Sequence, residues 1–334
     1  MSISAGPRGR SFIRLKLAQW GGGGSAEHTN TFASARWPTE GFAISKAAVA
    51  AITTGDIGPE MVEYVGAVRE RSVIGGLAGT RPVAFLKRMI ARTNGVTGFW
   101  AGEATPAPML KAVLAGSTLE VKKVVALIAA TEEALRAESP AVEAGLQFDL
   151  ETGCAGAIDQ AFLDPANAGS ATIPAAVTHG APTVAATSDA AADLKALVSA
   201  FAGDMASAYL VTDPDTATGL AMVRGANGSF VFAEAGPRGG SILGIPLLVS
   251  RFSPRDTSSG QIALIDASGI AVAMDSVELS QSDQTSLAMS DTPTSPASMV
   301  SMFATNSVAL KAVIRANWEN QRIGGVAVIT GADY

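Results

Sequence analysis

The chain has one cysteine, two histidines and few charges, and each scarcity excludes something. Cys154 is the lone thiol in 334 residues, so an intramolecular disulfide and a cysteine-rich metal site are both ruled out. His28 and His179 lie far apart in polar, turn-like surroundings, which suits solvated side chains better than a metal pair. No apolar run approaches the ~18 to 20 residues that a membrane span requires, and the N-terminal region has no continuous apolar segment that could act as a signal peptide. The chain is therefore expected to be soluble, with no membrane partner. Neither G-x-x-x-x-G-K-[ST] nor G-x-G-x-x-G occurs, and there is no G-x-S-x-G elbow. The acidic pairs Glu132-Glu133 and Asp213/Asp215 suit a solvated face and a turn cap better than a general acid and base. Asn227-Gly228-Ser229 matches a glycosylation sequon, but without a secretory signal it reads simply as a turn. These absences argue against an enzyme: no catalytic residue, cofactor or metal is expected.

Charged residues make up 16% of the chain, against about 25% in an average globular protein, while 48% are hydrophobic. Mean hydropathy is +0.28. A free monomer of this size needs more charge than that to cover its surface, so much of the exterior is expected to be buried against other subunits. The competing explanation is an Ala- and Gly-rich composition inherited from genomic base composition. The net charge of −6 argues against a nucleic-acid binder that works through a broad basic face.

The strongest periodic signal runs from Ser139 to Leu163. Steps of four place Val142, Leu146, Leu150, Cys154, Ile158 and Phe162 on one helical stripe, with Ser139 as cap, Pro140 at the first helical position and Asp164-Pro165 as terminator. Glu143, Gln147, Glu151 and Asp159 are expected on the opposite, solvated face. Residues 1 to about 58 lack a convincing period and read as an extended arm with one possible short helix near Lys46 to Ile52. Arg8, Arg10, Arg14 and Lys16 precede the first acid, Glu27, and are candidates to meet an acidic neighbour or enclosed nucleic acid.

Val83 to Ile90 and Leu119 to Ile128 read as two strands of a hairpin, separated by nearly thirty residues. That loop carries Phe99, Trp100, Met109, Leu110, Val113 and Leu114, too apolar for a solvated segment, so docking on a partner is expected. Further on, Ser188 to Phe201 reads as a capped helix and Ala208 to Val211 as a strand; the turn at Asp213-Pro214-Asp215 leads into a short helix. Strands follow at Ser229 to Ala233, Ile245 to Val249, Ile262 to Ile265 and Gly269 to Met274. A long strand over Met302 to Ala316, a turn around Asn317 to Arg322 and a closing strand over Gly325 to Ile329 complete an α+β chain without regular β-α-β alternation.

Taken in order, several short segments resemble one family. They are Trp100-Ala-Gly-Glu103, Glu120-Val-Lys-Lys-Val124, Thr131-Glu-Glu-Ala-Leu135 and Ala157-Ile-Asp-Gln-Ala-Phe-Leu163, then Leu243-Gly-Ile-Pro-Leu-Leu-Val-Ser250, Leu310-Lys-Ala-Val-Ile-Arg-Ala-Asn-Trp318 and Val326-Ala-Val-Ile-Thr330. The pattern is similar to the major capsid proteins of tailed bacteriophages, the Hong Kong 97 type of fold, over roughly residues 61 to 334. The resemblance implies an N-terminal arm (1–60), a connecting segment (61–81) and an extended β-hairpin loop (82–128). It also implies a spine helix with the first part of a peripheral domain (129–204), an axial domain (205–297) and long C-terminal strands of the peripheral domain (298–334).

It further implies a virion protein, assembled in the bacterial host cytoplasm, whose copies form pentamers and hexamers of an icosahedral shell. Packaged double-stranded DNA would be touched non-specifically, and portal, scaffold or decoration proteins are possible partners. Phe99, Trp100, Glu103, Met109, Leu110, Lys111, Val113 and Leu114 become the candidate inter-subunit contacts. Some members of the family crosslink through a loop lysine, an asparagine and a glutamate; Lys111 could fill the first role, but Ser301 and Val308 stand at the other two positions, so no isopeptide bond is expected. Many members also begin with a charged helical scaffolding segment, unlike the Gly-rich start seen here, so a separate scaffold or a segment outside this chain is expected. A bacterial nanocompartment shell of the same fold and a soluble α/β enzyme are the alternatives.

Overall fold

The computed structural model describes residues 10–23, 25–37, 44, 46, 59–92, 100, 114–136, 140–225, 227–256, 258–288 and 299–334. In chain order the helices are α1 (Arg10–Gly21), α2 (Ala26–Arg36), α3 (Pro59–Arg71), α4 (Val73–Gly76), α5 (Glu132–Arg136), α6 (Pro140–Leu163), α7 (Ala190–Ala200) and α8 (Pro214–Met222). The first strands are β1 (Arg81–Pro82), β2 (Arg88–Arg92), β3 (Leu114–Thr118), β4 (Lys123–Thr131), β5 (Thr183–Ala185), β6 (Ala208–Thr212) and β7 (Ala235–Gly236). They continue as β8 (Gly239–Ile242), β9 (Ile245–Val249), β10 (Gly260–Asp266), β11 (Ile270–Ser282), β12 (Ser286–Ala288), β13 (Met299–Ser301), β14 (Ser307–Asn320) and β15 (Val326–Ala332). The chain divides into two compact units. One comprises Met1–Arg71, Lys123–Gly156 and Asp275–Arg315; the other comprises Ser72–Lys122, Ala157–Met274 and Ala316–Tyr334.

The second unit is built on a mixed seven-stranded sheet of order β5-β15-β10-β6-β9-β8-β7. Within it β10 lies antiparallel to both β15 and β6, and every residue of β10 is buried. Ile262, Ala263, Leu264 and Ile265 form the unbroken apolar run expected of a strand covered on both faces. Helices α7 and α8 contribute Leu194, Leu197, Ala217 and Leu220 to the same core as Leu210, Leu247 and Ile329. Both helices start where side-chain caps put them: Asp189 accepts from the Ala191 and Ala192 amides, and Asp213 from those of Asp215 and Thr216, with Pro214 in the first turn. The Asp213/Asp215 pair is thus a cap, with Arg255 bridging both carboxylates at 2.8 and 2.7 Å. Strands β8 and β9 close through Leu243 and Gly244 at φ of 54° and 78°, the two-residue turn whose backbone twist matches a hairpin.

In the first unit, β4 runs antiparallel to β14, from Ser307 opposite Thr131 to Arg315 opposite Lys123. Across the two units the structure corrects several expectations; the strand read over Ser229 to Ala233 is reduced to an isolated bridge from Phe230 to Arg224, and four others concern longer segments. The first concerns the segment read as an extended arm, which contains α1 and α2. Leu15, Leu17 and Ala18 of α1 and Thr29 and Ala33 of α2 are buried, but the α2 stripe consists of small residues that carry no hydrophobic signal. The glycines Gly21 to Gly23 between them form a tight corner. A Cβ on Gly21 would lie 2.6 Å from the Phe32 ring, one on Gly22 would lie 2.6 Å from the Thr29 backbone, and Gly23 turns at φ 56°. The possible helix near Lys46 to Ile52 lies almost wholly outside the described residues.

The second correction is the hairpin register. Strand β2 pairs with β3, Arg88 opposite Thr118 through Arg92 opposite Leu114, while the more apolar 123–131 segment goes to β14 instead. Leu-Ala-Gly-Ser-Thr in β3 lacks the alternation that would have marked it as a strand. Third, the long C-terminal strand begins at Ser307 rather than Met302. Residues 302–306 form a turn ending at Asn306 with φ 49°, held by Thr305 N–H to Ser301 O and Ser307 N–H to Met302 O. The fourth concerns the polar residues of α6, described next.

Candidate assembly surface

Helix α6 begins at Pro140 and ends at Leu163, just before Asp164-Pro165, while the expected cap Ser139 lies outside the described residues. Leu146, Leu150, Cys154, Ile158 and Phe162 are buried along the expected stripe and Val142 is half-buried. Gln147, Glu151 and Asp159, expected in solvent, are buried as well. Each follows a stripe residue by one position, about 100° round the helix, so the buried face is wider than a step of four suggests. Glu143 has no described side chain.

Within the first unit, Glu151 accepts from Arg71 Nε at 2.8 Å and from Gln147 Nε2 at 2.7 Å, which ties the end of α3 to α6. The Arg71 guanidinium also sits 4.7 Å from the centroid of the exposed Phe148 ring. Burial pushes the Cys154 thiol up to about 12, against the hydrogen bond from the Ala126 amide, with Glu151 raising it further. The thiol therefore stays protonated and is a poor nucleophile. Burial, together with Cys154 and Glu151, likewise raises the Tyr64 phenol above its ordinary value. This buried polar group fixes elements and sets up no nucleophile and base.

In the second unit, Asp159 accepts from the Val73 amide at 2.8 Å through one oxygen and from Ser250 Oγ at 2.7 Å through the other. Burial raises its pKa to about 7, against those two bonds. The last turn of α6 is pinned again where Gln261 Nε2 and Thr178 Oγ1 both donate at 2.8 Å to the Leu163 carbonyl. Phe162 meets Trp318 edge to face at 5.4 Å, and Trp318 Nε1 donates to Ala175 O at 2.8 Å. His179, read as solvated, is exposed, and its Nδ1 lies 2.9 Å from Pro165 O.

Large apolar side chains stand in solvent at several turns and on one strand face. Trp100 is fully exposed, as are most of Leu86, Leu243, Phe303 and Ile323. In the first unit, Val125 and Leu127 point outward from β4 and border a cleft of 270 Å³ lined also by Ala126, Ile128, Asp149, Leu150 and Gly153. Strand alternation legible in the sequence gives this outward face, and the apolar residues on it are what sequence reasoning assigned to a hairpin.

Of the candidate loop contacts, Trp100 is in view and Leu114 opens β3 opposite Arg92. Phe99, Glu103, Met109, Leu110, Lys111 and Val113 lie outside the described residues, as does Arg8 among the arm cations. Arg10 is the first residue of α1. Arg14 stacks over the Trp37 ring at 5.5 Å, and burial lowers the Lys16 pKa. Arg14 is thus engaged in its own unit, and Lys16 is partly buried. Among the described residues there is no cluster of three or more His, Cys, Asp or Glu able to hold a metal, and no helix is long and apolar enough to cross a membrane.

Comparison with known proteins agrees with this geometry. Residues 61–330 match the phage capsid family. The sequence is 30% identical over 319 residues to the capsid polyprotein of Pseudomonas phage PAJU2, covering 87% of this chain and 48% of that protein. The chain thus spans about half the length of the curated relative it matches. Among solved structures, a chain from Gordonia phage Cozz aligns with a TM-score of 0.57 at 16% identity, covering 78% of this chain and 86% of that one. The capsid of a native GTA particle aligns with a TM-score of 0.55 at 16% identity, covering 80% and 90%. These structural likenesses establish the fold.

Proposed function

Because this chain belongs to the phage capsid family, we propose that it is a structural subunit that tiles with copies of itself into the icosahedral head shell of a tailed phage, enclosing double-stranded DNA. The observation that carries the reading is the match across most of the chain, joined by a surface with apolar residues at its turns and few charges to solvate it. On this reading α6 is the spine helix, α8 and β6 to β12 belong to the axial domain of residues 205–297, and α7, the long strand β14 and β15 belong to the peripheral domain. Residues 93–113, between β2 and β3, would be the tip of an extended loop that lies over the next subunit. Pentamers and hexamers, a portal, a scaffold and assembly in the host cytoplasm follow from the same reading.

The work such a protein does is packing. No covalent step is required: association buries apolar side chains that a lone subunit leaves wet. Trp100 supports this most directly, because an indole left fully in solvent is the type of residue that dominates interfaces once covered. Trp100→Asp is expected to leave the chain folded, with an unchanged circular dichroism spectrum, yet unable to form closed shells in negative-stain micrographs. Normal particles from that variant would remove Trp100 from the contact. The contents of purified wild-type particles, DNA or protein cargo, separate a phage head from a cargo compartment of the same fold.

A further inference from the structure

Asn227-Gly228-Ser229 forms the tip of the hairpin that follows α8. Arg224 and Phe230 make a β-bridge across it, Gly225 N–H donates to Ser229 O at 2.9 Å, and Gly228 N–H donates to Gly225 O at 2.9 Å. All three tip residues are exposed. The Asn227 side chain is nonetheless held: its Oδ1 accepts from the Ser229 amide at 3.3 Å and from Ser229 Oγ at 2.7 Å. A bond from residue i+2 back to an asparagine oxygen folds the amide forward over the intervening peptide. Here that peptide is the Gly228 nitrogen, and Gly228 has φ 77° with open space where a Cβ would be.

We propose that Asn227 is a site of spontaneous modification, deamidating through a succinimide closed by the Gly228 nitrogen, with Ser229 stabilising the oxyanion that forms. Hydroxide takes the proton from the Gly228 nitrogen as its bond to Gly225 opens, and the nitrogen lone pair attacks Asn227 Cγ. A C–N bond forms and the carbonyl electrons move onto Oδ1, where the Ser229 N–H and O–H already point. Collapse of this intermediate breaks the Cγ–Nδ2 bond, and ammonia leaves with a proton taken from water. Water then adds to either carbonyl of the ring and opens it to aspartate or isoaspartate, with no change of oxidation state. Each event places one new negative charge on a hairpin whose Arg224 guanidinium lies 4.8 Å from the Phe230 ring. In an assembly of many copies such charges accumulate with age, so the tip would record how long a particle has stood.

The test is peptide mapping by mass spectrometry of the purified full chain, incubated at mildly alkaline pH and sampled over days. The Asn227 peptide is expected to gain one mass unit, with an isoaspartate product, ahead of the peptides containing Asn167, Asn306, Asn317 and Asn320. Ser229→Ala removes the hydroxyl donor and is expected to slow the reaction about three- to tenfold, the effect of losing roughly one hydrogen bond at the oxyanion. Ser229→Thr keeps the donor and is expected to restore the rate, with all variants melting at the same temperature. An Asn227 that stays intact, a Ser229→Ala chain that reacts at the wild-type rate, or a Ser229→Thr chain as slow as the alanine variant would each overturn the assignment.

Discussion

Asp159 has both oxygens occupied and no exposure, and its pKa near 7 makes it the residue whose behaviour is simplest to predict. The folded value lies above the ordinary aspartate value of 3.8. Between those two values the folded chain keeps a proton that the unfolded chain releases, so this group's contribution to stability falls as pH rises from about 4 to 7 and stays low above that. Asn at position 159 is neutral, can accept from Val73 and can donate to Ser250. Asp159→Asn is therefore expected to melt at a temperature that gains on the wild type between pH 5 and pH 8; a difference independent of pH would mean that Asp159 does not titrate there. Arg71 poses the opposite case, since its removal strands the buried Glu151 carboxylate. Because the Arg71 side chain is itself 40% exposed, water can partly replace it, and Arg71→Ala is expected to cost about 1–3 kcal/mol in urea unfolding rather than the larger loss of a fully buried pair. An unchanged unfolding midpoint would show that Arg71 does not hold the Glu151 charge.

At the level of elements, helix α6 was legible because its proline start, stripe and terminator all agree, and α7 and β10 were legible from their own patterns. Helices α1 and α2 were not, because close approach of backbones leaves its mark in Gly21, Gly22, Thr29 and Ala33 rather than in large apolar residues. The same blindness hid the burial of Gln147, Glu151 and Asp159. A polar residue beside an apolar stripe reads as solvent-facing until its partner is known, and Arg71, Val73 and Ser250 come from distant parts of the chain. The β2 and β3 register was missed because β3 is built of small residues, while the apolar 123–131 segment seemed the better partner. The α1–α2 corner yields a prediction of its own. A Cβ at Gly22 would stand 2.0 Å from Thr29 Oγ1 and 2.6 Å from Thr29 N, and the backbone atoms cannot move aside alone. Gly22→Ala is expected to cost about 1–3 kcal/mol, read as a lower unfolding midpoint and faster amide exchange across residues 10–36. Exchange at the wild-type rate there would mean that the corner is looser than it stands.

For the molecule as a whole, the sequence signalled a surface deficit, and the structure says where some of it lies. Leu86, Leu243, Phe303 and Ile323 occupy turns, where an apolar side chain gains little from its own unit, Trp100 is fully exposed, and Val125 and Leu127 line an outward strand face. The loop contacts other than Trp100 and Leu114 could be argued only from composition. Stability of such a subunit is linked to association: whatever binds the folded chain raises its apparent stability by mass action. Size-exclusion chromatography of the purified chain, with negative-stain microscopy of the excluded fraction, tests the central claim most directly. Closed, uniform shells are expected in the void volume, with a yield that rises steeply with protein concentration. A monodisperse monomer or small oligomer that stays so at every concentration, with no particles in the micrographs, would contradict it.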